Sequence, residues 1–574
     1  MKEPWLWHGR EEVRVYCGEP TPQARLCIPS ANDSANPAKA KPSWPGALVV
    51  FIVFCAVALL QWRLRGMLFD DAFIHLRIAR NLALSGTAFF NPGERIMATS
   101  SPLWTVVLAG LGIATHRWLL PFLEAGLLTG CGVLAYLLSR KLLPATTFAL
   151  GGSAAGGQRS RVQSMLLAGL AGLLAMLLVL PSSIGQMETP LAMALLLGAM
   201  YSFAAGGWAC LPLLALAGCV RLEMLPLFAV ACLVAAAVKF RRSSIAAALG
   251  IVAAMAIAVY AQFGVLLPNS MRAKAIGYAY DRADIVRQIF EAMLLEWPMI
   301  VCLMVFLGAM FLDRFDAFRR RDHSRSSWIA ALLGVWGIGV MLEYVVRDTP
   351  IFEWYRPLIW LPLLLCFLLY RSLSSSSRQL RGALEFARFA GILLFLFVPL
   401  LKGYVIVRAA ILDTAAAKGV ADRRDSARVE EYLVVGRALR TTCPGGTLLT
   451  PEIGALGWAF NGRILDAFGI ASPRALAFQP LRSGAPVGGI PAGYAAEERP
   501  DMIVSYTSLD EEVRRDAALM NAYDLIQLPT SLPTYTKGDI LPGWHGSTHL
   551  DVMLRKDGSC PVAMVEKALR YAAR

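Results

Sequence analysis

The 574 residues are 56% hydrophobic and only 17% charged, with a mean hydropathy of +0.52, whereas soluble domains carry about a quarter charged residues. That balance excludes an ordinary soluble enzyme or binding module and reads as a polytopic α-helical membrane protein. The formal charge of +14 resides in the membrane part, since residues 413–574 hold 18 Lys/Arg against 19 Asp/Glu, so it reports topology and lipid contact rather than nucleic acid.

In chain order, residues 1–46 form a polar tail of mixed charge. The first apolar run lies too far from the start to be a cleaved signal peptide, so an anchor with a cytoplasmic tail is expected. Apolar runs follow at 47–62, 121–138, 165–181, 190–205, 209–220, 225–238, 245–263, 298–312, 328–346, 357–370 and 391–407. They predict about eleven crossings over 47–409. Loops 140–161, 239–242, 313–325 and 371–388 hold four, three, five and four Lys/Arg, and 182–189 holds none. The positive-inside rule therefore sets the basic loops and the amino terminus in the cytoplasm and everything after residue 407 outside. Counting the apolar stretch Ser101–Thr115 as a crossing would invert every later loop. It is instead expected to lie in the outer leaflet, within a first external loop at 66–120.

From residue 410 to 574 the pattern changes. "GTLLT", "GRILDAF", "PDMIVSY", "YDLIQLP" and "DVMLR" read as short strands, and "ARVEEYLVVGRALR" and "EEVRRDAALMNAYDLI" as helices between them. An external α/β domain is predicted. Of the eleven cysteines, only Cys443 and Cys560 fall in it, where an oxidising compartment favours their pairing. No CxxC pair, GxxxxGK[ST], GxGxxG after a strand, HExxH or GxSxG occurs. ATP-driven transport, dinucleotide chemistry, zinc proteolysis and serine hydrolysis thus lose their usual sequence support.

Charge at a membrane edge is costly, about 2.5–3.5 kcal/mol for a lone ion at bilayer depth, and the chain spends it repeatedly on one side. Asp70 and Asp71 follow the first span, with His75 four residues on and Arg77 and Arg80 behind. Glu188, Arg221, Glu223, Asn269, Arg272, Lys274, Tyr355 and Arg356 all fall at external span ends. Singly each has a bland explanation, such as snorkelling, an interfacial aromatic belt or a helix stop. Their recurrence in four external loops points to a shared cavity. A carboxylate among cations suits transfer of a group from a phosphate to a hydroxyl, with the carboxylate as general base and the cations neutralising the leaving phosphate. Nucleotide sugars are cytoplasmic, so a donor used outside is a sugar on a lipid phosphate.

The blocks "DDAFIHLRIARNL", "FFNPGERI", "SSPLWT", "GQMETPL", "LLPNSMRAK" and "EIGALGWAFNGRILDAFGIASP" resemble those of the GT-C superfamily of polyprenyl-phosphate-sugar glycosyltransferases. Within it they resemble the bacterial arabinofuranosyltransferases that act on mycobacterial arabinan or pseudomonad type IV pilin. The resemblance implies an inner-membrane, multi-pass, inverting enzyme that moves D-arabinofuranose from a polyprenyl-phosphate donor to a glycan or protein acceptor in the periplasm, without a cofactor. It makes Asp70 or Asp71 the base, and a metal shared by the two stays open. Arg272, Lys274, Arg356 and Arg77 are implied at the donor phosphate, and His75, Arg80, Trp104, Glu188, Arg221, Glu223, Asn269 and Tyr355 at the substrates. Gln186–Met187 stands where the family writes Gly-Leu, and Leu222 where it writes proline between Arg221 and Glu223. A mannosyl or other pentosyl lipid donor, or a transporter of lipid-linked sugar, are the alternatives. No internal repeat of the transporter kind is present.

Overall fold

The computed structural model describes residues 44–142, 154–237, 241–277, 325–346, 352–369, most of 397–408, 423–479, 481, 488–530 and 547–572. The tail 1–43, the span expected at 298–312, most of that at 391–407 and the basic loops at 313–324 and 371–388 lie outside the described residues. Contacts divide the chain into Met1–Val49 and Val50–Arg574, so everything from residue 50 onward belongs to one unit.

Among the described residues four helices are long and apolar enough to cross a membrane: Pro45–Arg63, Arg117–Leu142, Ser164–Ile184 and Arg242–Phe263. They belong to a helical series, α1 (Trp44–Arg63), α4 (Leu120–Leu142), α5 (Ala154–Ile184) and α9 (Arg242–Phe263). Shorter apolar helices sit among them: α6 (Thr189–Ala204), α7 (Cys210–Val220), α8 (Leu225–Ala237), α11 (Arg325–Val346) and α12 (Arg356–Leu369). Their apolar runs fit a multi-pass membrane protein.

Three elements of this part are not spans. Helix α2 (Asp70–Ser85) is amphipathic and ends at Gly86, whose φ of 70° closes it with a bond to the Leu82 carbonyl. Helix α3 (Pro102–Gly110) has nine residues, roughly 14 Å at 1.5 Å per residue, less than half a hydrocarbon core. It packs on α2 and α7. Helix α10 (Asn269–Gly277) is as short and starts just after Pro268.

The terminal part opens with α13 (Arg423–Thr442) and then builds a five-stranded sheet in the order β2-β1-β3-β5-β4 from β1 (Thr447–Thr450), β2 (Arg463–Asp466), β3 (Met502–Tyr506), β4 (Tyr523–Pro529) and β5 (His549–Arg555). Strands β1, β2 and β3 are parallel, and β5 runs antiparallel to β3 and β4. The strand period of two sorts the side chains. Leu448, Ile464, Met502, Val504, Val552 and Leu554 join a core shared with Tyr432, Val435 and Leu439 of α13. Leu449, Leu465, Ile503 and Met553 form the core of the other face. Central β3 is buried at every position, as a strand covered on both faces must be.

Between β1 and β2 lies α14 (Ala455–Phe460). The helical pattern expected over 511–526 divides into α16 (Glu511–Arg515) and α17 (Ala517–Ala522), with α15 (Ala492–Glu498) preceding β3. The break falls at Asp516 because its carboxylate accepts the Ala518 and Leu519 N–H groups and starts a new helix. Cys443 and Cys560 are bonded to each other, tying the end of α13 to the start of α18 (Val562–Ala572), across 117 residues.

Two fully buried carboxylates sit beside this sheet, Asp510 after β3 and Asp551 on β5. Asp551 accepts from Arg514 at 2.6 Å and from Gln527 at 3.1 Å. Burial, reinforced by the Asp551 charge, pushes Asp510 up to about 9. The unfolded chain ionises Asp510 near 3.8 while the fold keeps it protonated to about 9, so its contribution to stability falls as pH rises between those values. Asp510→Asn copies the protonated form. It is expected to stabilise the chain by about 1–3 kcal/mol at pH 7.5, with the gain vanishing at pH 4. Thermal unfolding at the two pH values checks this, and a variant less stable than the parent at pH 7.5 would contradict it.

Candidate functional site

Helix α2 divides the two adjacent aspartates. Successive residues on a helix point about 100° apart, so Asp70, Phe73, Arg77 and Arg80 share one face and Asp71 and His75 another. The first face grips the terminal part. Asp70 is buried, and its two oxygens accept the N–H groups of Ala455 at 2.8 Å and Gly454 at 3.0 Å, at the start of α14. A side chain at Gly454 would collide with it. Burial raises the Asp70 pKa above its usual value, against the pull of Arg428 and the two amides.

The rest of that face is equally committed. Phe73 packs on Trp458, and the Arg80 guanidinium lies 4.2 Å from the Trp458 ring and donates to Asn461. Buried Arg77 donates to the carbonyls of Phe90 at 2.9 Å and Gly462 at 2.6 Å, to Asn91 Oδ1 at 3.1 Å and to the Gly457 carbonyl. Arg77, expected at the donor phosphate, and Arg80, expected at the substrates, therefore serve as brackets between α2 and the terminal part. Trp104 is also displaced from that expectation: it is wholly buried in the packing of α3.

The second face begins a polar chain. Asp71 is half-buried, and His75, one turn on, is buried. His75 Nδ1 lies 3.1 Å from the Thr99 hydroxyl and Nε2 lies 3.6 Å from a Glu188 oxygen. Burial pushes the His75 pKa below its usual value, against the pull of Glu188 and Asp71. The ring is thus neutral at pH 7, able to donate from one nitrogen and accept at the other.

Glu188 is aimed by an unusual turn. After α5 ends at Ile184, Gln186 takes φ 59°, a left-handed conformation that costs a non-glycine residue roughly 1–2 kcal/mol. Gly185 lets this turn press on Phe69, leaving no room there for a side chain. The Phe69 N–H donates to the Gly185 carbonyl, so the turn is fixed directly beside the aspartates.

Glu188 is paired with Arg221, both 1% exposed. Burial alone would raise the Glu188 pKa, but the Arg221 guanidinium outweighs it and holds the carboxylate below its usual range. Arg221 leaves α7 in extended conformation, donates to Glu223 at 3.0 Å and lies 4.2 Å from the Tyr355 ring centroid. The Tyr355 hydroxyl accepts from Lys274 Nζ at 3.0 Å.

Lys274 opens onto a cavity of about 730 Å³. Its walls are Arg95, Ile96, Met97 and Ser100 from the loop between α2 and α3, Glu223 from the turn between α7 and α8, Asn269, Arg272 and Lys274 of α10, Glu343 and Tyr344 of α11, Tyr355, and Pro473 from the terminal part. Of the residues expected at a site, Glu223, Asn269, Arg272, Lys274 and Tyr355 line it, and His75, Glu188 and Arg221 connect to it from behind. Arg356 opens α12, half-buried, and is not in the described lining. Sequence reading missed Arg95, Glu343 and Tyr344 as lining residues. Arg95 had a signal in "FFNPGERI", whereas Glu343 and Tyr344 sit in an apolar run. Among the described residues no three His, Cys, Asp or Glu side chains come together as metal ligands.

The fold and site thus describe a multi-pass helical membrane protein whose terminal α/β part helps to wall a cation-bearing cavity. No protein-family model matches the chain, and no curated protein matches it. Among solved structures it is similar to ArnT from Cupriavidus metallidurans in the apo state, at 12% identity and a TM-score of 0.44 over 88% of this chain and 98% of that one.

Proposed function

We propose that the chain is an inverting glycosyltransferase of the GT-C type. It moves a sugar, D-arabinofuranose by sequence resemblance, from a polyprenyl-phosphate donor to a hydroxyl acceptor, a glycan or a protein such as pilin, on the periplasmic face of the inner membrane. The observation that supports this most is the run of contacts from His75, one turn after Asp71 on α2, through Glu188, Arg221 and Tyr355 to Lys274 in the cavity. It starts one turn from a candidate base and ends at a candidate phosphate site.

In this reading Asp71 takes the acceptor's hydroxyl proton as the acceptor oxygen attacks the anomeric carbon. The bond from that carbon to the phosphate oxygen breaks, and the polyprenyl phosphate departs with its charge met by Lys274 and Arg272. Attack opposite the leaving group inverts the anomeric centre. His75, held by Thr99, sets its other ring nitrogen toward Glu188. Asp70 positions the terminal part, which seats the acceptor.

Purified protein in nanodiscs, given synthetic polyprenyl-phosphate-β-D-arabinofuranose and crude envelope acceptors, tests the proposal through sugar transfer. Lys274→Met is expected to raise the donor KM about 10- to 100-fold with a smaller change in kcat, since a charge-assisted bond to phosphate is lost. Turnover with only a mannosyl or other pentosyl lipid would keep the mechanism and replace the sugar. Labelled lipid crossing the bilayer of reconstituted vesicles without any donor consumed would replace the enzyme with a transporter.

A further inference from the structure

Two cations of the cavity, Arg272 and Lys274, sit on α10, a helix of only nine residues. What holds it comes from about 200 residues away in the chain. The segment after β2 is wound around one carboxylate: Asp466 accepts the N–H groups of Phe468 at 2.9 Å and Ala471 at 2.7 Å, and its own N–H donates to the Ser472 hydroxyl at 3.0 Å. Gly469, at φ 95°, makes the bend.

So shaped, the loop meets both ends of α10. At the first end the Asn269 side-chain amide donates to the carbonyls of Gly469 at 2.5 Å and Ile470 at 2.9 Å, while the Asn269 backbone N–H donates to Met97 in the cavity wall. At the other end the Phe468 ring lies against Gly277, where an added Cβ would come within 2.7 Å of it. Between them Ala273 packs with Phe468 and Leu476. Arg272 and Lys274 project from the clamped stretch into the cavity, and Pro473, the residue after Ser472, is part of its wall. Asp466 itself is fully buried and does not line the cavity.

We propose that Asp466 is a positioning residue: it shapes a latch, loop 467–472, which clamps α10 and so fixes the phosphate-binding cations Arg272 and Lys274. This rests on the glycosyltransferase reading for the identity of the ligand. It makes donor capture depend on the terminal part rather than on the membrane helices alone.

The experiment compares the full-length parent, Asp466→Asn and Asn269→Leu in nanodiscs, by hydrogen exchange over 269–277 and by binding of decaprenyl phosphate. Asp466→Asn replaces one acceptor oxygen with a donor, and Asn269→Leu, near in size and uncharged, leaves the two loop carbonyls without their N–H donors, so each breaks the latch from its own side. Both are expected to speed exchange in α10 and to raise the Kd for decaprenyl phosphate about tenfold, with the sheet's exchange unchanged. The double variant should be no weaker than the worse single one, because both act on one contact. If the parent binds decaprenyl phosphate and both variants bind it equally well, the proposal is overturned even where α10 has loosened, because a merely structural loop would do that. Unchanged exchange in α10 overturns it as well. A parent indifferent to decaprenyl phosphate overturns the functional reading beneath it, a distinguishable result.

Discussion

Asp71→Asn is expected to lower kcat for sugar transfer by about 10²- to 10⁴-fold, the usual contribution of a positioned base, with donor affinity and melting temperature unchanged. Asp70→Asn is expected to do something different. Both Asp70 oxygens are spent on the amides of Gly454 and Ala455, and a carboxylate so engaged and buried is poorly placed to take a proton from an incoming hydroxyl. Its conversion removes one charge-assisted acceptor, a loss of about 1.5–3 kcal/mol, felt at the contact between α2 and α14. Hydrogen exchange at Gly454–Phe460 should quicken, and any loss of turnover should follow that loosening. The two variants, assayed for kcat and for exchange, separate chemistry from docking. A chain in which Asp70→Asn abolishes turnover with Gly454–Phe460 fully protected, while Asp71→Asn turns over normally, would exchange the two roles.

This division of labour was half legible in the sequence. Two acids after a span, with His75 four residues on, announce a site, because the helical period is local information. What the period cannot reveal is which face of α2 meets which partner. Partners of Asp70 and Arg77 lie 384 and 380 residues away, so the sequence alone does not show that Arg77, implied at the donor phosphate, and Arg80, implied at the substrates, donate to Gly457, Gly462 and Asn461 of the terminal part. Apolar runs and alternating strands were readable for a related reason: burial on one face or both imposes a period on the chain itself. The latch was not readable, since Asp466, Asn269 and Gly277 are unremarkable until tertiary packing brings them together. Gln186 is the opposite case. A residue other than glycine holds a left-handed turn there, a backbone requirement this chain meets at a cost.

The buried pair Glu188–Arg221 supports the last expectation. Each side chain is 1% exposed, and Arg221 is additionally bonded to Glu223 and set against the Tyr355 ring. Arg221→Met leaves the Glu188 carboxylate buried without its cation, and removing one member of such a pair costs about 3–5 kcal/mol. The melting temperature in nanodiscs should fall steeply, and turnover with it. Adding Glu188→Gln removes the stranded charge, so the double variant should regain most of the lost stability, the non-additivity expected of contacting residues. Turnover is the discriminating measurement. If the pair only stabilises the fold, the double variant should work as well as the parent. If it carries the connection from His75 to Tyr355 and Lys274, the double variant should melt nearly like the parent and still transfer sugar slowly, because a neutral amide and a thioether can neither face His75 with a carboxylate nor set a guanidinium against the Tyr355 ring that holds Lys274.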